Sequence, residues 1–422
     1  MKKSLFSLLS VCALAALFLA SCSSSDDIPN AGNEEPAKYS IRLSAPQKKV
    51  LKQSNDFAFD ALKAVNNENE NVFISPYSLG QALAMLANGA EDETFDEIAN
   101  VLKIGNGTSL DDINSYYTTM NKALTDIQCS SKIAYANSLW ANKFPNDSIE
   151  ESYKEDMVSI FNAHVEALKF NDSKSVDIIN SWSKKQTNGL IPNIVDKLSS
   201  VDQIAILLNS LYFKGIWSYF PKKNTYDDKF RNQFDRNESV KMMKSDECTL
   251  NGFITDEELM VEFDYGGKAF QMQVIMPKKA NINTYIQNLN GEKYATMLSY
   301  MMNSSSEVSF PKFKNTYSYD LIEPLQQMGI TKAFGAGASL RKIANIKGLY
   351  IDKVIQNTTI EVNEEGSVAS ATTRVDADLI ISPGRLPKQF IIDHPFIYLI
   401  RERQTGAILF IGKVQSMEGM QN

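Results

Sequence analysis

Between residues 54 and 65, apolar side chains fall at three- and four-residue spacing: Phe57, Ala58, Ala61, Leu62 and Val65. That period predicts an amphipathic helix with one face on a core, and Ser54 is placed to cap it. The run Ser78-Leu-Gly-Gln-Ala-Leu-Ala-Met-Leu-Ala is small or apolar nearly throughout, which predicts a buried helix capped by Ser78. From about Gln47 to Ile178 the pattern is chiefly helical. After about residue 200 it changes. Residues 205–213, 271–276, 308–313, 390–392 and 408–414 are short apolar or alternating runs bounded by turn residues, and they predict strands. Helices first and strands later, with no internal repeat, point to an α+β fold with mainly antiparallel sheets.

The first residues carry a different pattern. Met1-Lys2-Lys3 is a short basic start, and residues 4–20 are mostly Leu, Ala, Phe and Val, as in a secretory signal peptide. The run is short and ends at Cys22, which disfavours a permanent transmembrane helix. Leu19-Ala20-Ser21-Cys22 resembles a bacterial lipobox, which implies cleavage after residue 21 and lipidation of Cys22. A plain signal peptide with an incidental cysteine is the competing reading. Ser23-Ser24-Ser25-Asp26-Asp27 resembles the export signal of bacterial surface lipoproteins, and the polar stretch that follows cannot bury enough surface to order itself. Residues 1–21 are therefore expected to be a signal peptide, 22–45 a flexible tether, and 46–418 the folded domain. The expected location is the outer membrane, facing the periplasm or the exterior, held by lipid alone.

Composition narrows the function. A chain of 422 residues with 43% hydrophobic and 22% charged residues suits one large mixed domain or two smaller ones. Removing residues 1–21 takes the net charge from −7 to −9, and no basic run is present, which argues against a nucleic-acid partner. Apart from Cys12 in the signal and Cys22, only Cys129 and Cys248 remain, too few for a disulfide framework. The chain has two histidines, His164 and His394, and neither sits in a recognisable catalytic or metal motif. CxxC, HExxH, Walker-type and GxGxxG signatures are missing. No cofactor or metal is expected. A hydrolase built on an unmarked carboxylate pair among 50 acids is the weak enzymatic alternative.

Six blocks in order then identify a family. Asn71-Val-Phe-Ile-Ser-Pro-Tyr-Ser-Leu, with Gly89-Ala90 closing the next helix, resembles the segment after the first helix of serpins. Ile179-Asn-Ser-Trp-Ser-Lys-Lys-Gln-Thr-Asn-Gly-Leu-Ile, Leu208-Asn-Ser-Leu-Tyr-Phe-Lys-Gly-Ile-Trp and Val308-Ser-Phe-Pro-Lys-Phe-Lys are similar to later blocks of the same family. Ile360-Glu-Val-Asn-Glu-Glu-Gly-Ser, and His394-Pro-Phe with Thr405-Gly-Ala-Ile-Leu-Phe-Ile-Gly-Lys-Val, complete the set. The resemblance implies a serpin fold: helices on a large central, mostly antiparallel sheet, two further sheets, and an exposed reactive loop at about 364–388. It implies a monomeric inhibitor of serine proteases that is not itself an enzyme. A non-inhibitory binding lipoprotein of the same fold is the alternative. The resemblance also marks Ser75, Ser78, Asn209 and Gln356 as the region where the central sheet opens. Gln356 stands where the family often has histidine. An amide still donates and accepts hydrogen bonds, but the position loses a protonation switch.

In serpins the loop is cut by the protease and inserts into the central sheet as a new strand, carrying the acylated enzyme with it, a case of strand addition by main-chain pairing. A strand between two others puts alternate side chains on one face. Ser367, Ala369, Ala371, Thr373, Val375, Ala377 and Leu379 form one set, all small or apolar. The other set is Val368, Ser370, Thr372, Arg374, Asp376, Asp378 and Ile380, and it holds every formal charge between Gly366 and Ile381. An ordinary strand also alternates, but this stretch exceeds the usual strand length. At about 3.3 Å per residue it spans on the order of 45 Å. At roughly 0.5–1.5 kcal/mol per hydrogen bond its ladder contributes on the order of 10 kcal/mol.

Glu365, Gly366, Ser367, Val368, Ala369, Ser370, Ala371 and Thr372 are the expected hinge, with Gly366 freeing the backbone to fold over. Family spacing from that glycine implies cleavage at Ile380-Ile381. A β-branched aliphatic there suits elastase-like proteases first, with subtilisin-, chymotrypsin- and trypsin-like enzymes as further candidates. Arg374 and Arg385 are alternative cleavage positions.

Overall fold

A computed structural model describes residues 35–420 except 106, 144–148, 187, 188, 190–192, 199–203, 345, 347 and 365–387. The first third of the chain forms α1 (Ala45–Val65), β1 (Val72–Ile74), α2 (Pro76–Gly89), α3 (Asp92–Leu102), α4 (Leu110–Asp126), β2 (Lys132–Asn142), α5 (Glu151–Phe161) and β3 (His164–Leu168). The middle forms α6 (Lys174–Gln186), β4 (Ile204–Lys214), β5 (Tyr226–Arg231), β6 (Asn237–Lys244), β7 (Cys248–Ile254), β8 (Glu258–Asp264) and β9 (Phe270–Pro277). Then come α7 (Ile282–Asn288), α8 (Gly291–Tyr300), β10 (Met302–Pro311), β11 (Phe313–Asp320), α9 (Ile322–Gln327), β12 (Tyr350–Val362), β13 (Gln389–Ile391), β14 (Phe396–Glu402) and β15 (Ile408–Val414). No helix among the described residues is long and apolar enough to cross a membrane.

Two boundaries differ from the sequence reading. Helix α1 starts nine residues before Ser54, and its cap is Ser44. The Ser44 side chain accepts from Gln47 N–H while Gln47 Oε1 accepts from Ser44 N–H, a reciprocal box that outweighs the thin apolar period of the first turns. Helix α2 is capped by Ser75, with Pro76 in the first turn, so Ser78 is an interior residue. Upstream, Ala37, Tyr39, Ile41 and Leu43 already pack against the core, so the chain docks before the expected end of the tether near 45.

A five-stranded sheet has the order β11-β12-β4-β2-β3. The second sheet runs β1-β15-β14-β9-β8-β7-β10-β6-β5, with β13 added alongside β10. Strand β10 pairs with β7 over Met302–Ser306 and with β6 over Ser309–Pro311, which joins the two further sheets into one path. Antiparallel pairs prevail, but β12 runs parallel to β4, and β2 parallel to β3. Strands β2 and β3 interrupt the region that reads as helical. Strand β2 buries Asn137, Ser138 and Asn142 among its apolar residues, which hides the usual alternation.

Strand β4 is buried on both faces. Ala205 and Leu207 join the main core beneath the helices, while Ile204, Ile206 and Leu208 join a second core under α6 with Trp140 and Ile179. The period of two therefore places Asn209 on the same face as Leu207, against α2.

Candidate functional site

Strands β4 and β12 are direct neighbours from Tyr350↔Ile204 to Asn357↔Ser210, with an irregularity between Ile351 and Lys353. Beyond Asn357 the pairing stops. Residues 358–362 remain paired with β11, while the end of β4 stays paired with β2. The two strands part there around a cleft of about 330 Å³, lined by Phe213, Lys214, Trp217, Thr359, Glu361 and Asn363 among others. Asn363, just after the end of β12 at Val362, lines this cleft, and Glu364 is the last described residue before 365–387.

Below the cleft, a buried polar network crosses the seam. Gln356 Oε1 accepts from Ser75 N–H at 2.8 Å, and Gln356 Nε2 donates to Ser75 O at 3.0 Å and Asn209 Oδ1 at 2.8 Å. Asn209 Nδ2 donates to Ser78 O at 2.9 Å and to Asn137 Oδ1 at 2.5 Å. Asn137 and Asn121 both donate to Gln81 Oε1, and Tyr77 O–H donates to Asn121 Oδ1. Ser75 Oγ caps α2 and donates to Leu409 O on β15. One amide chain thus ties β12, β4 and β2 to α2 and α4. The four residues marked from the sequence come together here, although Ser78 acts through its carbonyl and its buried hydroxyl has no partner. The three amides Asn137, Gln81 and Asn121 were not marked; each is a polar residue inside an apolar or helical run, the one signal that could have found them.

The rim of the cleft is held separately. Trp217 Nε1 donates to Asn363 O at 3.0 Å, and its ring stacks on Tyr265 at 5.1 Å and 2°. Gly215 makes room for this arrangement, since a Cβ there would lie 2.2 Å from the Tyr265 ring. Glu364, buried at the last described position before the loop, accepts from Thr225 Oγ1 at 2.7 Å and pairs with Lys312 Nζ at 3.0 Å. Burial by itself would raise this carboxyl, but the bonds from Thr225, its own backbone and Lys312 outweigh burial and hold it below the ordinary glutamate range. Thr225, Lys312 and Glu364 are far apart in sequence and carried no mark of joint action.

The expected hinge (Glu365, Gly366, Ser367, Val368, Ala369, Ser370, Ala371, Thr372) lies outside the described residues. So do the face residues Thr373, Val375, Ala377 and Leu379, the bond Ile380-Ile381, Arg374, Arg385 and Cys22. Among the described residues no cluster of His, Cys, Asp and Glu could hold a metal ion. His164 bonds Glu166 at 2.9 Å, and His394 bonds Asp393 at 2.7 Å.

Two outcomes test this geometry. The network bonds described across the seam run through neutral amides, hydroxyls and backbone groups, and its one titratable member, Tyr77, is raised well above its ordinary range by burial. In Gln356→His a buried neutral imidazole binds its proton less readily than the unfolded one, so stability is lost as pH falls below about 6.5. Thermal unfolding between pH 8 and 5 is expected to show that slope in the variant in excess of the parent. For Glu364 the folded pKa is depressed, so its clamp stabilises above the unfolded value of about 4.3 and is lost as pH falls through the folded one. Glu364→Gln is expected to cost about 1–2 kcal/mol at pH 7, with the gap from the parent closing in acid. A gap that stays constant to pH 3 would remove Glu364 from the clamp.

The family model described as Serpin (serine protease inhibitor) matches residues 52–417. Iripin-1 of Ixodes ricinus is 32% identical over 376 residues, covering 87% of this chain and 95% of its own. Leukocyte elastase inhibitor of Sus scrofa is 31% identical over 382 residues, covering 85% and 97%. Among solved structures, the thermophilic serpin Tengpin in its native state superposes with a TM-score of 0.78 at 29% identity, covering 91% of this chain and 97% of its own. Human thyroxine-binding globulin, solved in complex with thyroxine, reaches 0.77 at 23% identity over 88% and 100%, a likeness of fold alone. Five strands with a parallel seam that parts at one end, matched in sequence across almost the whole described domain, place this chain in the serpin family.

Proposed function

We propose that the protein inhibits serine proteases as a single-use substrate whose cleaved loop enters the seam between β12 and β4. Serpins are generally protease inhibitors and not catalysts. The observation that carries the reading here is the seam itself: two parallel strands, directly paired, already parted at the end from which the loop departs. A chain that reverses after β12 runs antiparallel to β12 and, because β4 is parallel to β12, antiparallel to β4 as well. Insertion would exchange one parallel ladder for two antiparallel ones, and parallel pairing is the weaker per residue. The alternation of Ser367, Ala369, Ala371, Thr373, Val375, Ala377 and Leu379 supplies the small face such a strand needs.

The scissile bond on this reading is Ile380-Ile381, and an elastase-like protease is the proposed target. A relative at 31% identity bears the name leukocyte elastase inhibitor, which supports that choice. The proposed location is a membrane surface, with Cys22 lipidated and residues upstream of the docked segment as tether.

Incubation of the domain with elastase-, trypsin-, chymotrypsin- and subtilisin-type proteases is expected to yield a denaturant-stable covalent complex with at least one of them. The loop-cleaved form is expected to unfold at a markedly higher temperature than the uncut form. Cleavage with neither complex nor added heat resistance would reject inhibition and leave a binding protein of the same fold. Ser367→Arg puts a charge first into the seam and is expected to give cleaved product in place of complex. For the anchor, mass analysis of the N-terminal peptide is expected to find lipid on Cys22 and none in Cys22→Ala; an unmodified Cys22 in membrane-derived protein would remove the tether.

A further inference from the structure

The parted head of the β12–β4 seam has two sides of opposite character, and the two-residue period of its strands makes them so. On β4, Phe213 packs on the main core while Tyr212 and Lys214 turn outward. On β12, Ile360 is buried in that core while Thr359 and Glu361 turn outward. The cleft of about 330 Å³ therefore has an apolar inner wall, completed by Phe73 and Tyr265, and a polar rim. The wall is held by its own ring contacts. Phe213 meets the Tyr265 ring edge to face at 4.9 Å and 71°, and Phe73 stacks on Phe410 at 5.1 Å and 10°. Ring pairs of this kind fix the wall as a preformed aromatic surface.

The rim carries a surplus of positive charge. Lys314 and Glu361, opposite each other on β11 and β12, pair at 2.9 Å. Lys214 lines the cleft at the exposed end of β4 and has no ion-pair partner among the described residues. The β2–β4 register sets Lys132 opposite Lys214, and like charges at one rung are unfavourable. An anion at the mouth relieves that repulsion. Tyr212 adds a hydroxyl beside it. Burial first, and then the Glu361 carboxylate, raise this hydroxyl above the ordinary tyrosine range, so it remains a donor at neutral pH.

We propose that the parted head of the seam is a binding site for a small aromatic carboxylate. The ring lies against Phe213, Phe73 and Tyr265, and the carboxylate takes Lys214 and the Tyr212 hydroxyl at the mouth. A cleft of about 330 Å³ is at the small end of ligand pockets, roughly 300–1,000 Å³, which suits a body of one or two fused rings. The ligand also fills the place where an inserting strand would pair with residues 358–362 of β12. The uncut form can hold it and the inserted form cannot, and a ligand that binds one state alone shifts the balance towards that state. Occupancy delays insertion. The delay rests on the insertion reading above; the binding does not.

Calorimetric titration of the uncut protein with naphthalene-2-carboxylate tests the site, with naphthalene-2-carboxamide as the neutral control. The carboxylate is expected to bind roughly 3- to 10-fold more tightly than the amide, a range set by an exposed ion pair below and a charge-assisted hydrogen bond above. Lys214→Gln is expected to bring the carboxylate down to the affinity of the amide, and Lys214→Arg to keep most of the preference. Lys214 is exposed, so neither change is expected to disturb folding. With the carboxylate at about ten times its Kd, passage of the uncut protein to a heat-resistant form is expected to slow about 10-fold. The loop-cleaved form is expected not to bind. Absence of binding to the uncut protein, or equal affinity for the two compounds, would overturn the site. Binding to a loop-cleaved form that has gained heat resistance would overturn it as well. If loop cleavage brings no heat resistance, insertion falls and the delay with it, while carboxylate binding that is lost in Lys214→Gln still upholds the site.

Discussion

The ladder between β12 and β4 joins two strands that are each already paired on their other side, β12 with β11 and β4 with β2. Separating them therefore divides the five-stranded sheet into two parts that each keep a partner, instead of unravelling it. The parallel direction matters as much as the position. A strand that reverses after β12 and enters between these two parallel neighbours would be antiparallel to both, so backbone groups released by the opening would meet a new partner on each side. The cleft, the network and the rim all act on this one seam.

Restraint and weakness are distributed along it. At the head, where Thr359 and Glu361 face the cleft, no ladder bond joins the strands, and closure depends on side chains: Trp217 on Asn363, and Thr225 with Lys312 on Glu364. Midway, Gln356 and Asn209 replace apolar packing with bonds that are strong in a dry interior and costly if broken singly. Such a network resists gradual loosening and favours an all-or-none transition. The charged rim responds to acid, whereas the Gln356–Asn209 bonds are carried by amides that do not titrate. The usual histidine would have coupled both ends of the seam to pH.

The family and its fold were legible because several blocks carry residues whose role is local. The Ala-rich stretch of α2 fits a close-packed interior, and the apolar run of β4 demands burial on both faces. The candidate site was half legible. Ser75, Ser78, Asn209 and Gln356 were found through resemblance, and Asn137, Gln81 and Asn121 could have been suspected as polar residues in apolar or helical settings. The Glu364 clamp could not, because a glutamate before a glycine reads as solvated loop until Thr225 and Lys312 are brought beside it.

By itself the sequence determined helices α1 and α2, strands β4, β9, β10, β13 and β15, and the two-residue period of the 367–379 stretch. These follow from nearest-neighbour sterics and from the side-chain periods of helix and strand, which act over a few residues. Tertiary structure alone decided that β12 lies parallel to β4, that their heads are parted, and that residues 37–43 are docked where composition predicts a tether. Each of these depends on contacts between residues more than a hundred positions apart, such as Gln356 with Asn209 or Tyr39 with Glu402. No local period encodes such pairings; packing selects them once the whole core is assembled.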